Sequence, residues 1–127
     1  LHEIVTMASL IEEETRTDDE RPIVSGILWK RPENGMRLDV DAAVRYILGK
    51  SNEALRQSDL DTNSPYNLRK ASGLPPGPIA NPGLESIQAA LYPKESPYFY
   101  YLHDRAGEIH YAKTNDEHNE NKAKYLQ

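Results

Sequence analysis

Apolar residues recur at helical spacing from Leu1 to Ile11. At about 100° per residue, Ile4, Met7, Ala8 and Ile11 share one broad arc, and Leu1 and Val5 extend it. On the same wheel the consecutive glutamates separate. Glu13 projects to the wet side, Glu14 lies at the edge of the arc near Leu10 and Met7, and Glu12 lies near the opposite edge beside Val5 and Ala8. Two carboxyls of this helix therefore border apolar surface. A second helix, with a stripe of Ile23, Val24, Ile27 and Leu28, is predicted to start from a capping box at Thr17-Asp18-Asp19-Glu20, with Pro22 in its first turn. Pro32 and Gly35 are expected to end it. Asp39 or Asp41 can cap a third helix that carries Ala43, Val44, Ile47 and Leu48 and stops at Gly49.

From Ser51 to Asn81 the periodicity gives way to turns: Asp59-Leu60-Asp61-Thr62, Ser64-Pro65-Tyr66-Asn67 and Gly73-Leu74-Pro75-Pro76-Gly77-Pro78. So long an irregular stretch in a small domain is characteristic of functional or disordered segments. Asn81-Pro82 reads as the start of a helix whose stripe is Leu84, Ile87 and Leu91, closed by Pro93. Tyr98–His103 and Glu108–Ala112 read as two strands around a turn at Asp104–Gly107, and Thr114-Asn115-Asp116-Glu117 is a capping box for a polar C-terminal helix. No repeat, linker or low-complexity run interrupts the chain. The expected class is α+β: a single compact domain over residues 1–127, with several short helices, a long irregular Pro/Gly-rich segment and a C-terminal β-hairpin.

Composition narrows the functions. A chain of 127 residues supports one core. Fifteen basic against twenty acidic residues leave a net charge of −5, which argues against binding nucleic acid or an anionic membrane surface. The longest nearly apolar stretch, Ile4 to Ile11, is under half a membrane span. Without cysteine there is no disulfide scaffold, Cys-ligated zinc site or thiol nucleophile. The chain opens at Leu1-His2-Glu3, with neither an initiator Met nor a signal segment, and is expected to be part of a longer protein.

Several blocks occur together in order: Ala8-Ser9-Leu10-Ile11-Glu12-Glu13-Glu14-Thr15, Glu20-Arg21-Pro22, Gly35-Met36-Arg37-Leu38 with Asp41, Asp59-Leu60, Ser64-Pro65-Tyr66-Asn67, Gly73–Ile79, Asn81-Pro82-Gly83 and Glu117-His118-Asn119. In this order and spacing the chain resembles, from about His2 to Leu126, the catalytic domain of the MltG-type (YceG-like) endolytic murein transglycosylases. The resemblance implies an enzyme held on the outer face of the bacterial cytoplasmic membrane by an N-terminal segment outside this chain. Such an enzyme cuts the MurNAc–GlcNAc β-1,4 bond within nascent peptidoglycan strands and leaves 1,6-anhydroMurNAc ends. Glycan strands are the implied partner, with cell-wall synthesis proteins as further candidates, and no cofactor or metal is implied. The family's catalytic acid is the second glutamate of Glu-x-Glu-Thr, which is Glu14 here. The chain departs from the family pattern at Trp29-Lys30-Arg31, at Asp41-Ala42-Ala43 and at Leu68 after Tyr66-Asn67.

One carboxyl suffices for such a reaction, because the muramoyl C6 hydroxyl attacks its own anomeric carbon and takes the place of water. The acid must first hold its proton near neutral pH, although a free glutamate titrates near ~4.3. Apolar neighbours disfavour the anion and raise that value. Leu10 and Met7 place Glu14 for this, whereas Glu13 faces water. Arg37 can hold a lactyl or peptide carboxylate. The other expected substrate contacts are Glu12, Asp41, Tyr66, Asn67, Gly73, Leu74, Pro75, Pro76, Gly77, Asn81, Ser86, Thr114, His118 and Asn119.

Structural readings of these residues stand beside the functional ones. Glu12 can pair with Arg21 or Arg37, and Arg37 with Asp41. Gly73–Pro78 can be a rigid connection. Tyr98, Tyr100 and Tyr101 can stack on sugars or, in the reading adopted, pack the hairpin on the core. His103 and His110 are expected on one face of the hairpin, without a third metal ligand. The rival function is a non-catalytic peptidoglycan-binding or cell-wall scaffolding domain, favoured if Glu14 is buried with no cleft around it. An aminodeoxychorismate lyase, a label YceG-like sequences have carried, needs pyridoxal phosphate in a larger framework, and this chain has no phosphate-binding glycine motif.

Overall fold

In the computed structural model, which describes residues 1–49 and 55–126, the chain forms helices α1 (His2–Glu14), α2 (Glu20–Glu33), α3 (Ala42–Leu48), α4 (Gln57–Leu60) and α5 (Leu84–Leu91). Strands β1 (Tyr100–His103) and β2 (Ile109–Ala112) and helix α6 (Asn115–Tyr125) follow. The expected α+β class and C-terminal hairpin are present. The start of the turn-rich stretch, 51–54, lies outside the described residues. Asp59 and Leu60, read as a turn, close the short α4, whose first turn is fixed by the Arg56 N–H donating to Asp59 Oδ2 at 2.8 Å.

Helix α1 is the centre of the molecule. Every residue from Thr6 to Ile11 is buried, so the helix is enclosed all round and not on one arc only. Ser9 finds partners inside the core: its hydroxyl donates to the Thr6 carbonyl at 2.6 Å and accepts from the Ile79 N–H at 3.0 Å. The second of these bonds fastens the Pro/Gly-rich segment to α1. Leu1, expected in the apolar arc, is 97% exposed at the start of α1. Met7, Leu10, Ile11, Val24, Leu28, Leu38, Val40, Leu68 and Ile79 make the core around α1.

The start of α2 differs from the expected box. The Thr17 hydroxyl donates to Glu20 Oε2 at 3.1 Å instead of capping the helix, and α2 begins at Glu20. Glu20 is drawn inward because His103 Nε2 and the Arg16 N–H both contact its Oε1, at 2.7 and 3.2 Å. Pro32 sits inside the last turn, where its fixed φ suits the helix at the loss of one hydrogen bond. The helix stops at Asn34–Gly35, with the Gly35 N–H on the Pro32 carbonyl and the Met36 N–H on the Arg31 carbonyl. This is a Schellman closure, and Gly35 supplies its left-handed residue with φ 72°.

Helix α5 buries the opposite face from the one expected. It begins after Gly83, and Ser86, Ala89 and Ala90 point inward while Leu84 and Leu91 are 64% and 50% exposed. Of the predicted stripe only Ile87 packs on the core. Small side chains let α5 lie close to α1, and close approach outweighs the greater transfer free energy of the leucines. On α2, Ser25 and Trp29 donate to the carbonyls of Ala89 and Ala90, at 2.6 and 3.1 Å. The chain leaving α5 crosses α2 so tightly that a Cβ on Gly26 would lie 2.1 Å from the Lys94 carbonyl oxygen.

The hairpin pairs Tyr101 with Tyr111, Leu102 with His110 and His103 with Ile109. Opposed residues share a face. Tyr101, His103, Ile109 and Tyr111 thus lie on one side, and Tyr100, Leu102, His110 and Ala112 on the other. His103 and His110 face opposite ways, contrary to the expectation, because their sequence separation is odd once the turn is counted in this register. Helix α6 covers the second face, with His118 stacked on Tyr100 and Tyr125 on His110 at centroid distances of 4.9 and 3.6 Å. Its start is capped as expected, the Thr114 hydroxyl accepting from the Glu117 N–H at 3.2 Å. Among the described residues no helix is long and apolar enough to cross a membrane.

Candidate active site

Glu14 closes α1, and Thr15, its extended C-cap, turns the chain away. The carboxyl thus sits beyond the enclosed part of the helix, half-buried, at the mouth of a cleft of about 140 Å³. Leu38, Tyr100 and Tyr101 supply the apolar walls, and Arg31, Asp39, His118 and Lys122 the polar ones. The walls are not the predicted Leu10 and Met7, which are fully buried in the core. Burial pushes the Glu14 carboxyl above its ordinary value, against the hydrogen bond from Tyr101 that favours the anion; the Asp41 carboxylate adds to the rise. The negative end of the α1 dipole acts in the same direction as burial.

The Tyr101 hydroxyl donates to Glu14 Oε1 at 2.5 Å across a sequence separation of 87. Glu14 Oε2 has no hydrogen-bond partner among the described residues. Burial and the Glu14 charge raise the phenol well above its ordinary range, so it stays a donor. Arg31 braces the cleft: its Nε donates to the Arg37 carbonyl and its Nη1 to the Phe99 carbonyl, at 2.9 and 2.8 Å, and its guanidinium lies over the Tyr100 ring. Asp39 holds a left-handed backbone with φ 57°, its N–H on the Leu68 carbonyl at 3.1 Å. That conformation is tolerated by aspartate better than by most side chains. His118 is held toward its neutral form by burial first, and then by Lys122 and Arg31.

A second recess, about 390 Å³, adjoins the first across Arg31 and Asp39 and is lined further by Gly35, Arg37, Arg69 and Ser72. Asp41 does not pair with Arg37. It forms a bidentate pair with Arg69, at 2.7 and 2.9 Å, and Asp39 lies 3.7 Å from the same guanidinium. Arg37 is exposed, and its side chain has no ion pair among the described residues.

The other expected contacts lie elsewhere. Glu12 is engaged with α5: its Oε1 accepts from the Gly83 N–H at 2.8 Å and the Ser86 hydroxyl at 3.0 Å, with Arg21 at 3.8 Å from Oε2. The Gly83 amide is the main reason its carboxyl is held below the ordinary range. Glu12→Ala is therefore expected to leave the Gly83 N–H and the Ser86 hydroxyl without their acceptor at the start of α5 and cost about 1–2 kcal/mol, read as a lower denaturant midpoint. Because the folded-state value is lowered, the Glu12 contribution is present above the unfolded glutamate value and fades as pH falls through the folded one. Asn67 is fully buried, with its amide on the Leu60 and Thr62 carbonyls, each at 2.8 Å. Tyr66 packs beside Tyr46, and Pro75 is buried. The Pro76 carbonyl meets His2 Nε2 at 2.9 Å, so the Gly73–Gly77 loop reaches the start of α1, roughly 18 Å along the helix from Glu14 at 1.5 Å per residue. Asn81 and Asn119 are exposed, and Thr114 caps α6. Of the predicted contacts, His118 shares the Glu14 cleft and Arg37 the adjoining recess.

The sequence reading did not single out Arg31, Asp39, Asn115, Tyr101 or Lys122 as site residues. Alternation in the hairpin assigns Tyr101 to one face, but only the register shows that this face meets α1. At the hairpin turn, Asp104, Glu108 and His110 bring ligand atoms within 4.8 Å of one another. The Asp104 oxygens already accept from the Ala106 and Glu108 amides and from His110 Nε2, which accounts for the group as the closure of the turn.

The family model described as the YceG-like family matches residues 1–124. The chain is 42% identical over 126 residues to a Bacillus subtilis protein named endolytic murein transglycosylase, covering 99% of this chain and 35% of that protein. It is 31% identical over 132 residues to a Streptococcus pneumoniae protein of the same name, covering 99% of this chain and 24% of the relative. A crystal structure of a YceG-like protein from Listeria monocytogenes superposes with a TM-score of 0.89 at 41% identity, over 94% of this chain and 39% of that one. The chain thus spans about a third or less of the length of these curated relatives.

Proposed function

The chain belongs to the YceG-like family, and from that membership and the placement of Glu14 we propose that it is the catalytic domain of an endolytic murein transglycosylase. The observation that carries the reading is a half-buried carboxyl lining a cleft, raised in pKa by burial, with one oxygen held by Tyr101 and the other without a hydrogen-bond partner among the described residues. A pure binding domain has no use for an acid so placed, and a Glu14 sealed from solvent would have spoken for one.

The substrate is the MurNAc–GlcNAc β-1,4 linkage inside a peptidoglycan strand. Glu14 gives its proton to the glycosidic oxygen, and the bond from that oxygen to muramoyl C1 breaks, its electron pair staying with the leaving sugar. The muramoyl C6 hydroxyl then bonds to C1 and returns its proton to the Glu14 carboxylate, which leaves a 1,6-anhydro ring. The Asp39 carboxylate and the new Glu14 anion supply negative charge as positive charge develops at C1. No cofactor enters this chemistry. The setting is the outer face of the cytoplasmic membrane, with cell-wall synthesis proteins as further partners.

Arg37, without an ion pair among the described residues in the recess beside the acid, is proposed to hold a lactyl or peptide carboxylate of the strand. Arg37→Ala is expected to raise KM about tenfold, the order of one hydrogen bond to a charged group, with kcat little changed. Steady-state kinetics on peptide-bearing strands measures both. Of the remaining expected contacts, the exposed parts of the Gly73–Gly77 loop and Asn81 would meet sugars only farther along a strand, whereas Asn67 is buried.

The test of the reaction is cleavage of uncrosslinked strands in oxygen-18 water, read by mass spectrometry. Internal cuts ending in unlabelled anhydromuramic acid support the reading. Labelled reducing ends would mean hydrolysis and a second carboxylate, and bound but uncut strands would return the domain to the binding class.

A further inference from the structure

We propose that Tyr101 is a positioning residue for the reaction: by donating its phenol hydrogen to Glu14 Oε1, it makes Oε2 the single oxygen that delivers and later recovers the proton. The inference rests on the assignment of Glu14 as the acid, but its structural half can be read without any cleavage. A carboxylic acid has two oxygens and one proton. A donor fixed on one of them, 2.5 Å away, disfavours the proton there and leaves it on the other. Oε2, without a partner among the described residues, is the oxygen left to the cleft.

The strand geometry makes Tyr101 suited to this. It lies on the face of β1 that meets α1, where its ring packs against the core and edge-on to His103, centroids 6.4 Å apart. His103 is itself anchored on Glu20 at 2.7 Å, so β1 is tied to the start of α2 by a bond two residues along the strand. The donor therefore stands on a braced strand and not on a loop. The bond also serves the two halves of the cycle unequally. While Glu14 is neutral it orients the acid; once Glu14 has given up its proton, the bond becomes charge-assisted and strengthens. It stabilises the anion that must form.

The groups that face the Glu14 carboxyl are few. From β1 come Tyr101 and His103, from the turn before α3 Asp41, and from α1 itself Glu13. Arg31 of α2, Asp39, and His118 and Lys122 of α6 line the same cleft. Of these, only Tyr101 makes a hydrogen bond to the carboxyl among the described residues.

The experiment is a carbon-13 titration of the Glu14 carboxyl in the wild-type chain and in Tyr101→Phe, with the Tyr101 Cζ shift followed in the wild type. The proposal expects the Glu14 titration to move to higher pH in Tyr101→Phe, because burial is then unopposed by the donor, and expects Tyr101 Cζ in the wild type to shift in step with Glu14. Strand cleavage by Tyr101→Phe should fall roughly tenfold at neutral pH, with the basic limb of its pH–rate profile displaced upward. A Glu14 titration unchanged in the variant, or a Tyr101 Cζ signal flat through it, overturns the proposal. If Tyr101→Phe does not fold, the wild-type Cζ reading decides alone. Absence of cleavage by the wild type would fail the functional reading and leave both titrations to judge this one.

Discussion

Glu14→Gln is expected to abolish strand cleavage, with a loss of at least 10²–10⁴-fold, the range assigned to a positioned general acid–base. Glutamine keeps the shape of the carboxyl and an oxygen that can accept from Tyr101, so the cleft should survive. It has no proton to give the glycosidic oxygen and no basicity to receive one from the C6 hydroxyl, so both halves of the cycle fail together. The same variant carries a second signature. Because burial raises the Glu14 carboxyl, the folded wild type holds its proton more tightly than the unfolded chain does, and it loses stability as pH rises from the ordinary glutamate range through the raised value. Glutamine does not ionise. Thermal denaturation should therefore find Glu14→Gln more stable relative to wild type at pH 8 than at pH 4, a gain of the kind seen when active-site strain is removed. Equal differences at both pH values would mean that Glu14 titrates normally.

Asn67→Ala should act through stability and not through the chemical step. The side chain is fully buried, and its amide ties the Leu60 and Thr62 carbonyls while its oxygen accepts from the Arg69 N–H at 3.3 Å. Removing it leaves these backbone groups without their partner, for a cost of about 2–3 kcal/mol, or several degrees in melting temperature. The loop it closes also positions Arg69, whose guanidinium grips Asp41 and borders the Arg37 recess. Activity per folded molecule is expected to fall modestly, mostly in KM. A variant that melts like wild type but does not bind strands would place Asn67 at the substrate instead.

The two residues mark what pattern can and cannot read. Helical spacing separates Glu14 from the solvent-facing Glu13, but the apolar walls around it, Leu38, Tyr100 and Tyr101, are not the Leu10 and Met7 that spacing suggests. Asn67 stands in an equally distinctive block, but distinctiveness does not separate a side chain that closes a loop from one that contacts a sugar. The exchange of faces on α5 escapes a hydrophobicity count, since Ser86, Ala89 and Ala90 are inward for closeness to α1 and not for their transfer free energy. The partners of Glu14 escape it for another reason. Tyr101, Asp39 and Arg31 come from separate elements, and only the hairpin register and the left-handed turn at Asp39 bring them to one cleft. His103 and His110 show the same limit: a one-residue change in register moves a side chain to the other face.

The central claim is that one glutamate, at the end of a buried helix, holds its proton where a free glutamate would not. The most direct measurement is the carbon-13 titration of the Glu14 carboxyl in the wild-type chain, which needs neither substrate nor any other part of a longer protein. The expected midpoint lies above the ordinary glutamate range, about 4.3. A midpoint within or below that range would contradict it and leave the cleft without its acid.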